Sequence, residues 1–254
     1  MRILLAFAVE AEFTHWGRLQ DWNSGLVDGV AVRRSQIGPA TLDCVVTGPG
    51  CESAGGTVRQ LLSSHYDVCV AAGFAGATKA GYGIGVVLVP RGVQKLGAPR
   101  RIACAAGLVD RAQSTGATFV DTFLTTDHVI ARVAEKVQLA SQAAAVDMES
   151  FAILAAAEEC GVPAVAVRAI SDVSGRELPG FLGHLVGSDG KVRLGRLILN
   201  LALHPGDIPA MVRLGRDSNA AGRALAQFLG GFLADLARSH SLRQEEQFIE
   251  VSAT

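Results

Sequence analysis

Two acids flank a methionine in Val146-Asp147-Met148-Glu149-Ser150, where a short apolar run (143–146) gives way to an amphipathic stretch (150–160). A strand-to-helix junction of this kind lies at the carboxyl end of a strand, where open α/β sheets bind their ligands. A carboxylate placed there can accept hydrogen bonds from both hydroxyls of a vicinal diol such as that of a ribose. An acid at a helix N-terminus also answers the helix dipole, so the local pattern alone leaves both readings open. Glu12 occupies a similar place after the apolar run 3–8, with Glu10 two residues before it. One of the pair can cap the following helix, and a carboxylate on that edge can activate a water. Ser171-Asp172 closes the run 164–170, where an aspartate serves as a turn residue or as a general acid. Arg168 interrupts that run and is costly to bury alone, so it is expected to pair with a carboxylate, either to orient Glu149 or Asp172 or as a purely structural salt bridge.

Other chemistries find less support. Gly48-Pro49-Gly50 follows a strand and precedes a helix, but Ser53 stands where a dinucleotide fingerprint needs its third glycine. There is no Walker loop, GxSxG elbow or HExxH, and the six histidines lack metal-ligand spacing. No metal and no organic cofactor are expected. A formal net charge of −1 gives no electrostatic reason for nucleic acid or a membrane surface. No stretch approaches the ~20 apolar residues of a membrane span. The apolar start is followed by Glu10 and Glu12 where a signal peptide needs small residues, and it reads better as a core strand. Five scattered cysteines read as reduced thiols of a cytoplasmic protein.

These residues need a scaffold of alternating strands and helices, and the 49% hydrophobic content of 254 residues is enough for one large α/β core. Strands are expected at 3–8, 30–37, 42–47, 68–72, 84–89, 101–107, 118–124 and 164–170, with a turn at Gly38-Pro39. Helices are expected from about residue 10, at 52–64, at 127–139 and at 150–160. Beyond Gly175 the sequence predicts a Gly-rich loop with a helical piece at 178–190, a helix at 192–203, and one or two long helices over 208–238. The whole is a single domain, 1–238, followed by a loose polar tail, 239–254.

Five segments in this order resemble the nucleoside phosphorylase / nucleosidase superfamily: Ala8-Val9-Glu10-Ala11-Glu12, Thr47-Gly48-Pro49-Gly50, Ala72-Gly73-Phe74-Ala75-Gly76, Val146-Asp147-Met148-Glu149 and Val167-Arg168-Ala169-Ile170-Ser171-Asp172. The resemblance covers about the first 175 residues. It implies a three-layer α/β fold with a central mixed sheet flanked by helices, extended here by C-terminal helices. Within the superfamily the chain looks most like the methylthioadenosine / S-adenosylhomocysteine nucleosidases. That likeness makes Glu12 the residue that activates water and Asp172 the acid beside the purine N7. It makes Glu149 the ribose-diol carboxylate with Met148 against the sugar, and it puts Ala75, Gly76, Ser171 and Ile130 in the substrate pocket. It implies hydrolytic release of adenine from a small 5′-substituted nucleoside by a homodimer. In a phosphorylase, phosphate is the co-substrate instead, and no arginine stands near the glycine turns to hold it. Phe74 replaces a small hydroxyl residue of the nucleosidases, and Val129 stands where an aromatic stacks on the base. Between Gly85 and Thr125 the chain is short, whereas the part beyond Arg176 is long. That part, with Asp189-Gly190-Lys191 and His204-Pro205-Gly206-Asp207, resembles the hopanoid-associated phosphorylase-like proteins, and futalosine hydrolase shares the Gly-Ala-Gly turn.

Overall fold

The apolar run after Met1 forms β1 (Arg2–Phe7), and every residue after Arg2 in it is buried. The computed structural model describes residues 1–179, 206 and 208–252. After β1 come α1 (Glu10–Gly17), β2 (Asn23–Val27), β3 (Val30–Ile37), β4 (Ala40–Val46), α2 (Cys51–Leu62), β5 (Val68–Ala77), β6 (Val87–Lys95) and β7 (Arg101–Ala103). Then follow α3 (Ala106–Ser114), β8 (Thr118–Thr125), α4 (Val133–Leu139), β9 (Ala145–Asp147), α5 (Ser150–Glu159), β10 (Ala164–Asp172) and α6 (Ile208–Ser252). No described helix is long and apolar enough to cross a membrane.

All ten strands among the described residues join one mixed sheet, ordered β10-β6-β8-β9-β5-β1-β4-β3-β2, with β7 on β6 and a further pairing of β10 with β5. The last pairing closes a ring of β5, β10, β6, β8 and β9, from which β1, β4, β3 and β2 extend as an open sheet. β5 is the hub. One of its edges pairs with β10 from Cys69 to Gly76. The other edge pairs with β1 up to Ala71 and with antiparallel β9 from Gly76. Over residues 72–75 that second edge carries no strand, so the sheet splits there. The split leaves main-chain donors to be satisfied by something other than a ladder, and it is where the site lies.

α2 packs on α5, with Ala152 Cβ only 3.2 Å from where a side chain on Gly55 would begin. α6 packs on α1, α3 and β10. Helices of both sets touch β10, and only Ser171 of its nine residues is not buried. A strand covered on both faces reads as a continuous apolar run, as 164–170 does.

Most expected elements are present. β2 was not expected: its sequence, Asn-Ser-Gly-Leu-Val, is largely exposed and lacks an apolar pattern. The expected strand at 101–107 shrinks to three residues, and α3 takes up its end. The expected helix at 127–139 begins only at Val133, and the strand expected at 84–89 is displaced to 87–95. One helix, α6, spans 208–238 and continues through the segment 239–252 read as a loose tail. The expected loop at 180–190 and helix at 192–203 lie outside the described residues.

Candidate active site

The split in the sheet places Glu12 first. It sits in the first turn of α1 and is buried. Its Oε2 accepts from the backbone N–H of Ala8 (2.8 Å) and Val9 (3.2 Å), so it caps its own helix. Its Oε1 reaches across to accept from the Phe74 N–H (2.7 Å), a donor that the splitting of β5 left without a strand partner. One oxygen of the carboxylate thus caps its own helix, and the other reaches the split in the sheet. Burial raises its pKa above the usual carboxylate value, while Arg168 and the three amides pull the other way without cancelling it. Glu10 instead points outward and pairs with Arg33.

Arg168 is fully buried. Its Nε lies 2.9 Å from Asp147 Oδ2, and Nε and Nη2 both donate to Ser150 Oγ (3.1 and 2.9 Å). Its Nη1 has no hydrogen-bond partner among the described residues and lies 3.9 Å from Glu12 Oε1. The sequence pointed to Glu149 or Asp172 as the acid oriented by this arginine; its ion pairs are with Asp147 and Glu12. Gly73 is required beneath it, because a Cβ there would fall 2.0 Å from Arg168 Nη1 and 2.5 Å from Glu12 Oε1.

The two acids flanking Met148 have separate tasks. Asp147 faces inward: it accepts from Thr125 Oγ1 (2.7 Å), approaches the Ser150 N–H at the start of α5 and pairs with Arg168. It is the helix-terminal acid of the plainer reading. Glu149 turns to the cavity and accepts from the Gly50 N–H (2.8 Å) in the Gly48-Pro49-Gly50 turn. Gly48 and Gly50 both have positive φ (84° and 92°), which lets the turn present that amide. Burial is the main reason that the Glu149 carboxyl is pushed up to about 7; Arg168 opposes this, and Glu12 and Asp147 add to it.

Asp172 ends β10 and is 6% exposed. Its Oδ2 lies 2.5 Å from Nζ of Lys136, a wholly buried lysine on α4. Its Oδ1 is buried and has no hydrogen-bond partner among the described residues. Burial raises its pKa, and Lys136 reduces that rise without reversing it.

A cavity of about 390 Å³ opens over these groups. Glu12, Asp172, Met148, Glu149, Ala75, Gly76, Ser171 and Ile130 all line it, so the structure brings together every site residue expected from the sequence. Phe74 and Val129, the two departures from the nucleosidase pattern, line it as well, as do Leu178 and Leu214. No lysine or arginine lines it among the described residues. The size and the apolar wall with a few convergent polar groups are those of a small-molecule site. Sequence reading missed Lys136, which lies between Val133 and Val137 where a charge reads as solvated.

The sequence matches the Phosphorylase superfamily over residues 29–186, a span that includes Glu149 and Asp172 and begins after Glu12. No curated protein matches the chain. Among solved structures, a futalosine hydrolase mutant from Helicobacter pylori aligns with a TM-score of 0.72 at 15% identity, covering 92% of this chain and 99% of that one. An S-adenosylhomocysteine nucleosidase from Streptococcus pyogenes aligns with a TM-score of 0.70 at 22% identity, covering 93% and 97%. The 5′-methylthioadenosine/S-adenosylhomocysteine nucleosidase from Helicobacter pylori gives 0.71 at 15% identity, covering 92% and 98%. At such identities the likeness establishes the fold.

Proposed function

The chain belongs to the phosphorylase superfamily and is an enzyme of the nucleosidase or nucleoside phosphorylase type; from that premise we propose that it hydrolyses the N-glycosidic bond of a 5′-substituted adenine nucleoside and releases adenine. The observation that carries this reading is the set of three buried carboxylates, Glu12, Glu149 and Asp172, around one cavity with no lysine or arginine in its described wall.

Cleavage of the C1′–N9 bond builds positive charge on the sugar and negative charge on the purine. The base leaves far more readily when N7 receives a proton, which calls for an acid whose pKa burial has raised. Asp172 meets that need through the unpartnered Oδ1. Glu149 accepts the ribose hydroxyls and, once ionised, stabilises the oxocarbenium-like sugar. Water attacks C1′ and gives its proton to Glu12. The 3.9 Å gap between Glu12 Oε1 and the orphaned Arg168 Nη1 is wide for a direct contact and suited to a bridging water. Phosphorolysis would instead bring a dianion into this wall, and that wall offers it no cation.

The same reading takes the enzyme as a cytoplasmic homodimer that needs no metal or organic cofactor. Light scattering on the purified protein tests the dimer. The activity is tested by chromatography of the released base from methylthioadenosine, S-adenosylhomocysteine, adenosine and futalosine, with and without phosphate. Adenine from the first two without phosphate is the expected result. An absolute need for phosphate would make the enzyme a phosphorylase, and no base from any of the four would sink the substrate class.

A further inference from the structure

We infer that Lys136 is the positioning residue of Asp172, binding its Oδ2 so that Oδ1 alone is presented to the leaving base. The inference rests on the nucleosidase reading for its consequence, and on geometry for the pair itself.

Lys136 is fully buried on a seven-residue helix. An ammonium has three N–H donors, and each has an acceptor here: Asp172 Oδ2 at 2.5 Å, the Val173 carbonyl at 3.1 Å and the Arg176 carbonyl at 2.8 Å. An ammonium so held cannot swing away without orphaning buried acceptors. It is therefore a fixture of the site and not its proton source. The helix that carries it is tied to the same loop at its other end. Glu177 Oε1 accepts from the Val133 N–H (3.0 Å), and the Leu178 N–H donates to the Ala131 carbonyl (2.9 Å). The end of β10, the following loop and α4 thus hold one arrangement, and Asp172 has one orientation within it.

Beyond Lys136, the charged residues that share a small pocket with Asp172 are Arg176 and Glu177 in the loop and Arg213 and Asp217 on α6, and among these Arg176 and Asp217 act on it most. These two form an ion pair with each other and oppose each other's effect on Asp172. Lys136 is the cation in direct contact with the acid. A cation favours the ionised carboxylate, so it makes protonated Asp172 the stronger acid and opposes the rise that burial causes.

The experiment is a double-mutant cycle of Lys136→Met and Asp172→Asn on the full chain, read as base release against pH. Lys136→Met is expected to lower kcat roughly 10- to 100-fold with little change in KM. The basic limb of its kcat profile, which follows loss of the Asp172 proton, is expected to move up by about one pH unit or more. In the Asp172→Asn background, Lys136→Met is expected to cost nothing further in kcat. An equal loss in both backgrounds, or an unmoved limb, would show that Lys136 only braces the loop and would overturn the inference. Wild-type protein that releases no base would instead count against the nucleosidase reading. The pair is then tested without turnover, and also without a lysine variant if Lys136→Met fails to fold, by nitrogen NMR of the Lys136 ammonium. Its resonance is expected to shift and its ammonium protons to exchange faster with solvent in Asp172→Asn, and an unchanged resonance overturns the inference.

Discussion

Asp43 on β4 and Glu149 at the start of α5 are both buried acids of the same sheet, yet their surroundings push them in opposite directions. Asp43 is saturated. Its Oδ2 accepts from Arg2 Nη2 (2.7 Å) and Tyr66 OH (2.8 Å), and its Oδ1 from Arg34 Nε (2.7 Å). Burial alone would raise its pKa, but the hydrogen bonds from Arg34, Arg2 and Tyr66 outweigh it and hold the carboxyl below its usual value. Glu149 has the Gly50 amide as its hydrogen-bonded partner among the described residues and is pushed up to about 7. The first acid knits β1, β3 and β4 to Tyr66, two residues before β5, and nothing is left over for a ligand. The second keeps lone pairs in hand on the carboxyl side of the sheet, where a bound diol can supply what the protein withholds. These two acids therefore differ in saturation, not in burial.

The sharpest way to break this contrast is Asp172→Asn. It is expected to keep the fold and to lose about 10²- to 10⁴-fold in turnover; near-normal base release would remove the general acid from the mechanism. Next is Asp43→Asn, which strands two arginines. It should cost about 2–4 kcal/mol of stability, below the range for fully buried pairs because both arginines are partly exposed. Urea melts measure the loss, and kcat of the folded fraction should stay at the wild-type value.

Glu149→Gln is expected to act with the opposite sign on stability. The folded-state pKa near 7 lies above the unfolded value of 4.5, so the native state binds the extra proton between them. Wild-type stability then falls as pH rises from about 4.5 to 7, by on the order of 3 kcal/mol. The amide escapes this loss, so the variant should match the wild type at pH 4.5 and melt higher at pH 8. Its KM for ribosides should rise and its kcat fall. Equal melting points at pH 8 would show that Glu149 is not a strained acid. In the wild type, kcat/KM should decline as pH drops below about 7, as the free-enzyme carboxyl takes up its proton. The smallest expected change in free energy is Gly73→Ala. Its Cβ would displace Arg168 Nη1 and Glu12 Oε1 at a cost of about 1–3 kcal/mol in stability. Base release should drop more than the melting point suggests.

Much of this was legible in the residues. Apolar runs bounded by glycines and acids give the strands and their order, because a strand buried on both faces must be apolar throughout, as 164–170 is. The acids at the ends of those runs stand out because charge at a buried strand end has few reasons to be there. Glu12, Glu149 and Asp172 were found on that ground, and with Met148, Ala75, Gly76, Ser171 and Ile130 they line one cavity.

Partnership was not legible. Val133 and Val137 form the apolar spacing on α4, yet Val137 is exposed and Lys136 is the side chain that turns inward. That inversion is fixed by Asp172 and two loop carbonyls, more than thirty residues away along the chain. Likewise, Arg168 announces that a buried charge needs a partner, but which acid answers depends on the strand register. β10 lies beside β5 with Arg168 opposite Gly73, and the absence of a side chain there lets the guanidinium reach Asp147 and Glu12. The sequence by itself determined which residues could carry charge into the core and which end of the sheet they share. Only the tertiary structure decided how they pair, because pairing is set by through-space geometry at distances of a few ångströms that no local pattern encodes.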